Sequence, residues 1–245
     1  MNLIILTEQD RTGESRFRLD DSRLVHIRTV LKLKPGDNLE VGLLDGPVAS
    51  ARVLSIGDKE TVLEVNSWQE PSAGTPDTTL ICALPRPQTL KKVLITCAMM
   101  GVRRLDLIRA NRVEKSYFSS PMLESENQLP FLIEGLAQGK RTRLPEVHVH
   151  DRFRRFFEDV LDTTFRPTAD SLRLLCEPET KHRLPDLADG RHSRVLLAIG
   201  PEGGWVPFEI ELMESRGFVP FSLGSWILRV EHAVVAALAQ LELCR

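Results

Sequence analysis

Apolar positions along this chain follow two different rhythms. Between residues 1 and 66 they come in short runs, LEVGLL (39–44), ASARVLSI (49–56) and ETVLEV (60–65). Pro35-Gly36-Asp37, Asp45-Gly46 and Gly57-Asp58 separate them. Gly and Asp supply turn conformations that other residues resist, so this spacing predicts short strands in a small antiparallel sheet or barrel. One helix is predicted within it, near Ser22–Leu33. Leu24, Ile27, Val30 and Leu31 recur there at helical spacing behind Ser22, a residue able to cap the first turn. Residues 67–79, SWQEPSAGTPDTT, are rich in Pro, Ser, Thr and Gly and read as a linker.

Beyond the linker, buried-type strands alternate with amphipathic segments. LICAL (80–84), LDLI (105–108), LRLLC (172–176) and VLLAI (195–199) read as strands. TLKKVLITCAMMG (89–101) reads as a helix stopped by Gly101, with Leu90, Val93, Leu94, Cys97 and Ala98 on one face. Further helices are predicted over about 126–138, about 151–161, about 207–216 and 230–243. Pro207 suits the first turn of the third of these, and Gly217 ends it. FVPFSL (218–223) reads as a strand weakened by Pro220. Strand–helix alternation implies an α/β domain with a mostly parallel sheet.

Charge adds a further division. Residues 86–155 carry 14 Lys/Arg against 7 Asp/Glu, whereas both flanking regions are acidic. A basic middle suits a phosphate-binding surface, or equally a solvated face paired to the acidic segments. The cysteines Cys82, Cys97, Cys176 and Cys244 form no CxxC pair and sit in apolar stretches. They read as reduced, buried thiols of a cytoplasmic protein. No metal site is expected, since His148-x-His150 lacks an acidic or cysteine cluster beside it. The opening MNLIILTEQD lacks the basic start and apolar length of a signal peptide, and no apolar run reaches membrane-spanning length.

Ligands of open α/β sheets bind outside the carboxyl ends of the strands. Three loops qualify: CEPET (176–180), GPEGG (200–204) and LGSWILR (223–229). Their glycines let backbone N–H groups approach a ligand, and the helix after residue 204 directs its positive end toward the same place. There is no GxxxxGK[ST], no GxGxxG behind a strand and no GxSxG elbow, which removes the common nucleotide and hydrolase loops. Trp205 and Trp226 accompany these loops. Each is placed either to cover a flat ring or simply to pack.

IGPEGGWVPFEIELMESRGFVPFSLGSWILRVEHAVVAAL (199–238) resembles the C-terminal signature of RsmE-type methyltransferases, members of the SPOUT class. HIRTVLKLKPGDNLEV (26–41) with Asp45-Gly46 resembles the family's amino-terminal domain, and NRVEKSYF (111–118) stands where the family has a basic, RNA-facing strand end. The resemblance implies a PUA-like β-barrel over residues 1–70. It implies a SPOUT domain over 71–245, whose C-terminal chain threads a deep trefoil knot. It implies S-adenosylmethionine held by Ile199, Gly200, Pro201, Glu202, Gly203, Gly204, Ser222, Leu223, Gly224, Ile227 and Leu228. The implied reaction is methylation of uridine N3 in small-subunit (16S) ribosomal RNA by a homodimer. Arg229 would stabilise charge on the ring, and Glu231 would orient it or accept the proton. Arg28, Lys32, Lys34, Arg109, Arg112, Arg141 and Arg143 would hold the RNA, with Arg86 and Lys140 alongside. Other readings fit parts of the pattern: a SPOUT methyltransferase with another RNA target, tRNA or rRNA, including a ribose 2′-O-methyltransferase; a catalytically silent RNA-binding ribosome-assembly protein; and a small-molecule enzyme.

Overall fold

The computed structural model describes residues 2–69, 77–188 and 192–244. The chain divides into two units: residues 1–73 with 133–144, and 74–132 with 145–245.

The first unit is built on a five-stranded sheet: β1 (Ile4–Leu6), β2 (Arg16–Leu19), β3 (Asn38–Leu43), β4 (Val48–Ile56) and β5 (Thr61–Gln69). The ladder order is β1-β3-β4-β5-β2, with β1 parallel to β3 and the other pairs antiparallel. Along β4, Ala49, Ala51 and Val53 are buried between exposed neighbours, the period-two pattern of a sheet with one dry face. The Asp45-Gly46 turn closes the β3–β4 hairpin, with Asp45 in the left-handed region. Helix α1 (Ser22–Val25) continues through a π-helical turn, His26–Val30, and buries Leu24 and Ile27. Its cap is Asp21, whose side chain accepts from the Arg23 amide, rather than the expected Ser22. β1 and β2 were not foreseen, because each is too short to establish a period.

The second unit holds a six-stranded sheet: β6 (Asp77–Ala83), β7 (Arg104–Ile108), β8 (Glu146–His150), β9 (Ser171–Cys176), β10 (Arg194–Ile199) and β11 (Val219–Phe221). The order is β11-β9-β10-β6-β7-β8, and every ladder is parallel. Pro220 lies on edge strand β11, where a missing N–H costs least. The helices are α2 (Pro87–Met100), α3 (Ser125–Gly139, whose residues from 133 on belong to the first unit), α4 (Phe153–Arg155), α5 (Leu161–Thr164), α6 (Leu184–Leu187), α7 (Pro207–Ser215) and α8 (Val230–Leu243). A π-helical turn, Phe156–Val160, joins α4 to α5. Gly101 ends α2 at φ +76°, and α2 packs against α8.

Two expectations change. Both ends of the linker read at 67–79 belong to strands, and residues 70–76 lie outside the described residues. Ser67–Gln69 extend β5, where Trp68 meets Phe17 edge-on at 6.0 Å. Asp77–Thr79 begin β6 through pairing with β10. The first unit also recovers chain from the middle of the sequence. Leu3 N donates to Ala137 O at 2.9 Å, Asp45 N to Thr142 O at 2.8 Å, and Leu144 N to the Asp45 carboxylate at 2.7 Å. Thr142 fits because Gly42 has no side chain: a Cβ there would lie 2.5 Å from Thr142 Cγ2.

Candidate active site

All strands of the second sheet point the same way, so their carboxyl ends share one edge. From β6 the chain moves outward through β7 and β8, then returns to the other side of β6 for β9, β10 and β11. This reversal is the arrangement that opens a crevice beyond the strand ends. Both glycine-bearing loops, 200–204 after β10 and 222–229 after β11, leave from that edge.

The loop after β10 is held at both ends. Gly204, at φ +74°, closes a turn by donating to Pro201 O at 2.8 Å. Pro207 then occupies the first turn of α7. Glu209, 2% exposed, reaches back so that Oε2 accepts from Val206 N at 3.0 Å. Its Oε1 accepts from Asn111 N, beyond β7, at 2.6 Å. One buried carboxylate therefore joins the loops that follow β7 and β10. Sequence reasoning gave Glu209 no role, although Pro207 with an acid two residues later is a legible helix-start signal. Arg112, in the β7 loop, donates from Nη1 to the Gly203 carbonyl. A Cβ on Gly203 would lie 3.1 Å from Arg112 Cδ, and one on Gly200 would lie 3.0 Å from Trp205 Nε1. Trp205 is buried, within 6.0 Å of the Phe153 ring, and its buried Nε1 has no hydrogen-bond partner.

The loop after β11 is pinned at its root and open at its tip. Ser222 is buried; its hydroxyl donates to Gly224 O at 2.9 Å and accepts from Arg183 Nη1 at 3.0 Å. Its amide donates to His182 O, and Gln240 from α8 donates to Leu223 O at 3.0 Å. Beyond that root, Trp226 is 68% exposed and Ile227 89%. The two tryptophans that the sequence left equivalent thus separate: Trp205 packs and Trp226 faces outward. A Cβ on Gly224 would lie 2.6 Å from Trp226 Cε3 and Cζ3, so the indole rests on the glycine backbone.

Arg229 caps α8, and its carbonyl accepts from Ala233 N at 2.8 Å. Its side chain is exposed and joins no ion pair among the described residues. Glu231 does not pair with Arg229. It is buried and bonded to Lys92 Nζ of α2 at 3.1 Å. Its own backbone amide does most to lower its carboxyl below the usual range; burial opposes this and Lys92 reinforces it. Behind the loops, burial pushes the Cys82 and Cys176 thiols up to about 12, so neither is a nucleophile. Burial also raises the Glu177 carboxyl, at the end of β9.

The cations proposed for RNA fall in both units. Arg28, Lys32, Lys34, Lys140, Arg141 and Arg143 belong to the first, and Arg86, Arg109 and Arg112 to the second. Part of the basic middle is spent on neighbours, as the alternative reading of its charge allowed. Lys140 pairs with Glu40, Arg104 with Asp106 at 2.8 Å and Arg154 with Glu158 at 3.2 Å. Arg28 bonds Asp58 at 3.2 Å, and Arg109 lies over the Phe118 ring at 5.8 Å. His150 bonds the fully buried Asp106 at 2.7 Å. Among the described residues no group of three His, Cys, Asp or Glu is placed to hold a metal ion, and no helix is long and apolar enough to cross a membrane.

Comparison with known proteins agrees with this geometry. Ribosomal RNA small subunit methyltransferase E of Treponema pallidum is 29% identical over 242 residues, covering 98% of this chain and 90% of the relative. The Synechocystis protein of the same name is also 29% identical, over 98% of this chain and 76% of its own. In structure, ribosomal RNA small subunit methyltransferase E from Neisseria gonorrhoeae, solved bound to S-adenosyl methionine, superposes with a TM-score of 0.76. It covers 98% of this chain and 97% of its own at 18% identity, a likeness of fold. The family model for the RNA methyltransferase PUA domain matches residues 19–65, which makes the first unit PUA-like. The model for the RNA methyltransferase domain matches residues 73–242, and by that match the chain belongs to the RNA methyltransferase family.

Proposed function

We propose that this protein transfers a methyl group from S-adenosylmethionine to N3 of a uridine in small-subunit (16S) ribosomal RNA. The observation that carries the reading is the pair of glycine loops, 200–204 and 222–224, at the shared carboxyl edge of a parallel sheet. Side chains would crowd them at Gly200, Gly203 and Gly224. The names of the relatives support ribosomal RNA as the substrate.

The residues fit the cofactor. Ile199, Gly200, Pro201, Glu202, Gly203 and Gly204, with Ser222, Leu223, Gly224, Ile227 and Leu228, would hold it largely through backbone groups. When bound, the cofactor supplies a methyl group on a positively charged sulfur. The residues of the chain must then manage the uridine. Neutral N3 is a poor nucleophile, so its proton must leave or the negative charge left on the ring must be stabilised. Arg229, exposed and without an acidic partner, is the cation for that charge. Glu231, held ionised beside Lys92, fixes the start of α8 behind Arg229 and is the nearest carboxylate in sequence for the proton. Positioning of the base supplies much of the remaining rate.

RNA would be bound by Arg28, Lys32, Lys34, Arg141 and Arg143 in a PUA-like domain (1–70, with 133–144), and by Arg109 and Arg112 in the catalytic domain. Arg112 must first release the Gly203 carbonyl. A SPOUT fold with a C-terminal trefoil knot, a homodimer and a cytoplasmic location complete the reading.

The test is methyl transfer from labelled S-adenosylmethionine to small ribosomal subunits lacking the modification, followed by nucleoside analysis. N3-methyluridine is expected. Label on a ribose 2′-hydroxyl would make the enzyme a 2′-O-methyltransferase. No label with the cofactor bound would leave an RNA-binding protein without activity on this substrate.

A further inference from the structure

We infer that Trp226 is a stacking platform for an unpaired RNA base next to the methylated nucleotide; this rests on the reading that the chain acts on RNA at the loops after β10 and β11. The sequence offers two tryptophans near those loops, and only one is free to stack. Trp205 is 5% exposed, enclosed beside Phe153 and Gly200. Trp226 is 68% exposed and precedes Ile227, 89% exposed. Large apolar side chains left open in adjacent positions ask for a partner.

Three observations identify that partner. The Trp226 ring is backed by Gly224, whose missing Cβ lets Cε3 and Cζ3 sit against the backbone. An indole supported on one side and open elsewhere loses less freedom when a flat ligand stacks on it. The loop also carries a cation, Arg229, with no ion pair among the described residues. An exposed aromatic ring on the same short loop as the cation proposed for the target uracil is placed where the face of a neighbouring unpaired base can stack. Finally, the root of the loop is fixed by Ser222, Arg183 and Gln240, so the ring is presented from an anchored segment. Methylation at N3 requires a base whose pairing edge is free. The substrate is therefore locally unpaired, and its neighbours have faces to offer.

The test uses the full chain, with short oligouridine as the single-stranded probe and a duplex RNA as control. Binding is read by fluorescence anisotropy at low salt. Trp226→Ala is expected to weaken oligouridine binding roughly tenfold or more, as loss of one base–aromatic stack does, while Trp226→Phe stays within about threefold. Duplex affinity and S-adenosylmethionine affinity by calorimetry should be unchanged in both variants. Equal oligouridine affinity for wild type and Trp226→Ala overturns the proposal, as does the absence of any oligouridine binding by the wild type. If Trp226→Ala loses cofactor affinity while RNA binding holds, the ring serves the cofactor and the proposal falls. If it loses only self-association in sedimentation, the partner is a second copy of this chain and the proposal again falls. Methyl transfer is scored separately: a stacking effect on RNA without transfer to small subunits sustains the platform and rejects the reaction.

Discussion

Glu209 offers the most direct test of how the candidate site is held together. Its two carboxylate oxygens accept from Asn111 N at 2.6 Å and Val206 N at 3.0 Å, and the side chain is 2% exposed. Glu209→Gln keeps the shape but leaves one oxygen to accept, and it turns an amide N–H₂ toward the other backbone N–H. One charge-assisted bond is lost and a buried donor meets a donor, a cost of about 2 kcal/mol. Glu209→Ala removes both acceptors and leaves two amides without partners, roughly 2–6 kcal/mol on the same scale. For a chain of this size each kcal/mol lowers Tm by about 2–4 °C. The Gln variant should therefore melt roughly 4–8 °C lower. Because the bonds join the loops after β7 and β10, the loss should also appear in cofactor affinity measured by calorimetry at a temperature where both proteins are folded. A Gln variant that melts within about 1 °C of wild type and binds S-adenosylmethionine equally well would refute the idea that this carboxylate holds the loops.

Gly200→Val should crowd Trp205 Nε1, only 3.0 Å from a new Cβ, at an overpacking cost of about 1–3 kcal/mol. Cofactor affinity should fall with it, and calorimetry that shows neither change would remove Gly200 from the site. Arg229→Ala should lower single-turnover methyl transfer by roughly 100-fold, the scale of losing one charge-stabilising donor, with cofactor affinity nearly unchanged. An unaltered rate would take Arg229 off the list. Asp106 is fully buried; burial pushes its carboxyl up, but hydrogen bonds from His150 and Arg104 outweigh this and hold it below the usual range. Its contribution to stability is therefore complete above the unfolded value near pH 4 and is lost as pH falls through the lower folded value. Asp106→Asn should lose about 3 kcal/mol at neutral pH in urea titrations and show a shallower further loss on acidification. A variant as acid-sensitive as wild type would contradict this.

What the sequence disclosed was mostly local. The span of α8, the Gly101 stop of α2 and the glycine loop after β10 are each written in consecutive residues, and each lies where the sequence places it. β8 went unread because EVHVH alternates over too few residues to separate strand from loop. The bonds that organise the site are not local. Asn111 and Glu209 lie 98 residues apart, and Lys92 and Glu231 lie 139 apart. No period or motif links such positions; the partnership of Glu231 with Arg229 was implied by the family resemblance, and in the fold the carboxylate bonds Lys92 instead. The buried Asp106 did leave a trace, an acid in the middle of the apolar run LDLI, but its partner His150 was weighed only as a metal ligand.

The return of residues 133–144 to the first unit bears on how the chain is made. A ribosome makes the amino-terminal sheet first, yet Leu3 finds Ala137, and Asp45 finds Thr142 and Leu144, only after the intervening chain has emerged. The amino-terminal sheet must wait with Leu3 N–H and the Asp45 turn unsatisfied while β6, α2 and β7 are translated. Long-range closure of this kind slows folding and leaves the early segment exposed to wrong pairings. A fragment ending near residue 70 would preserve that waiting state, so an isolated amino-terminal domain needs residues 133–144 supplied to it, in cis through a linker or in trans as a peptide.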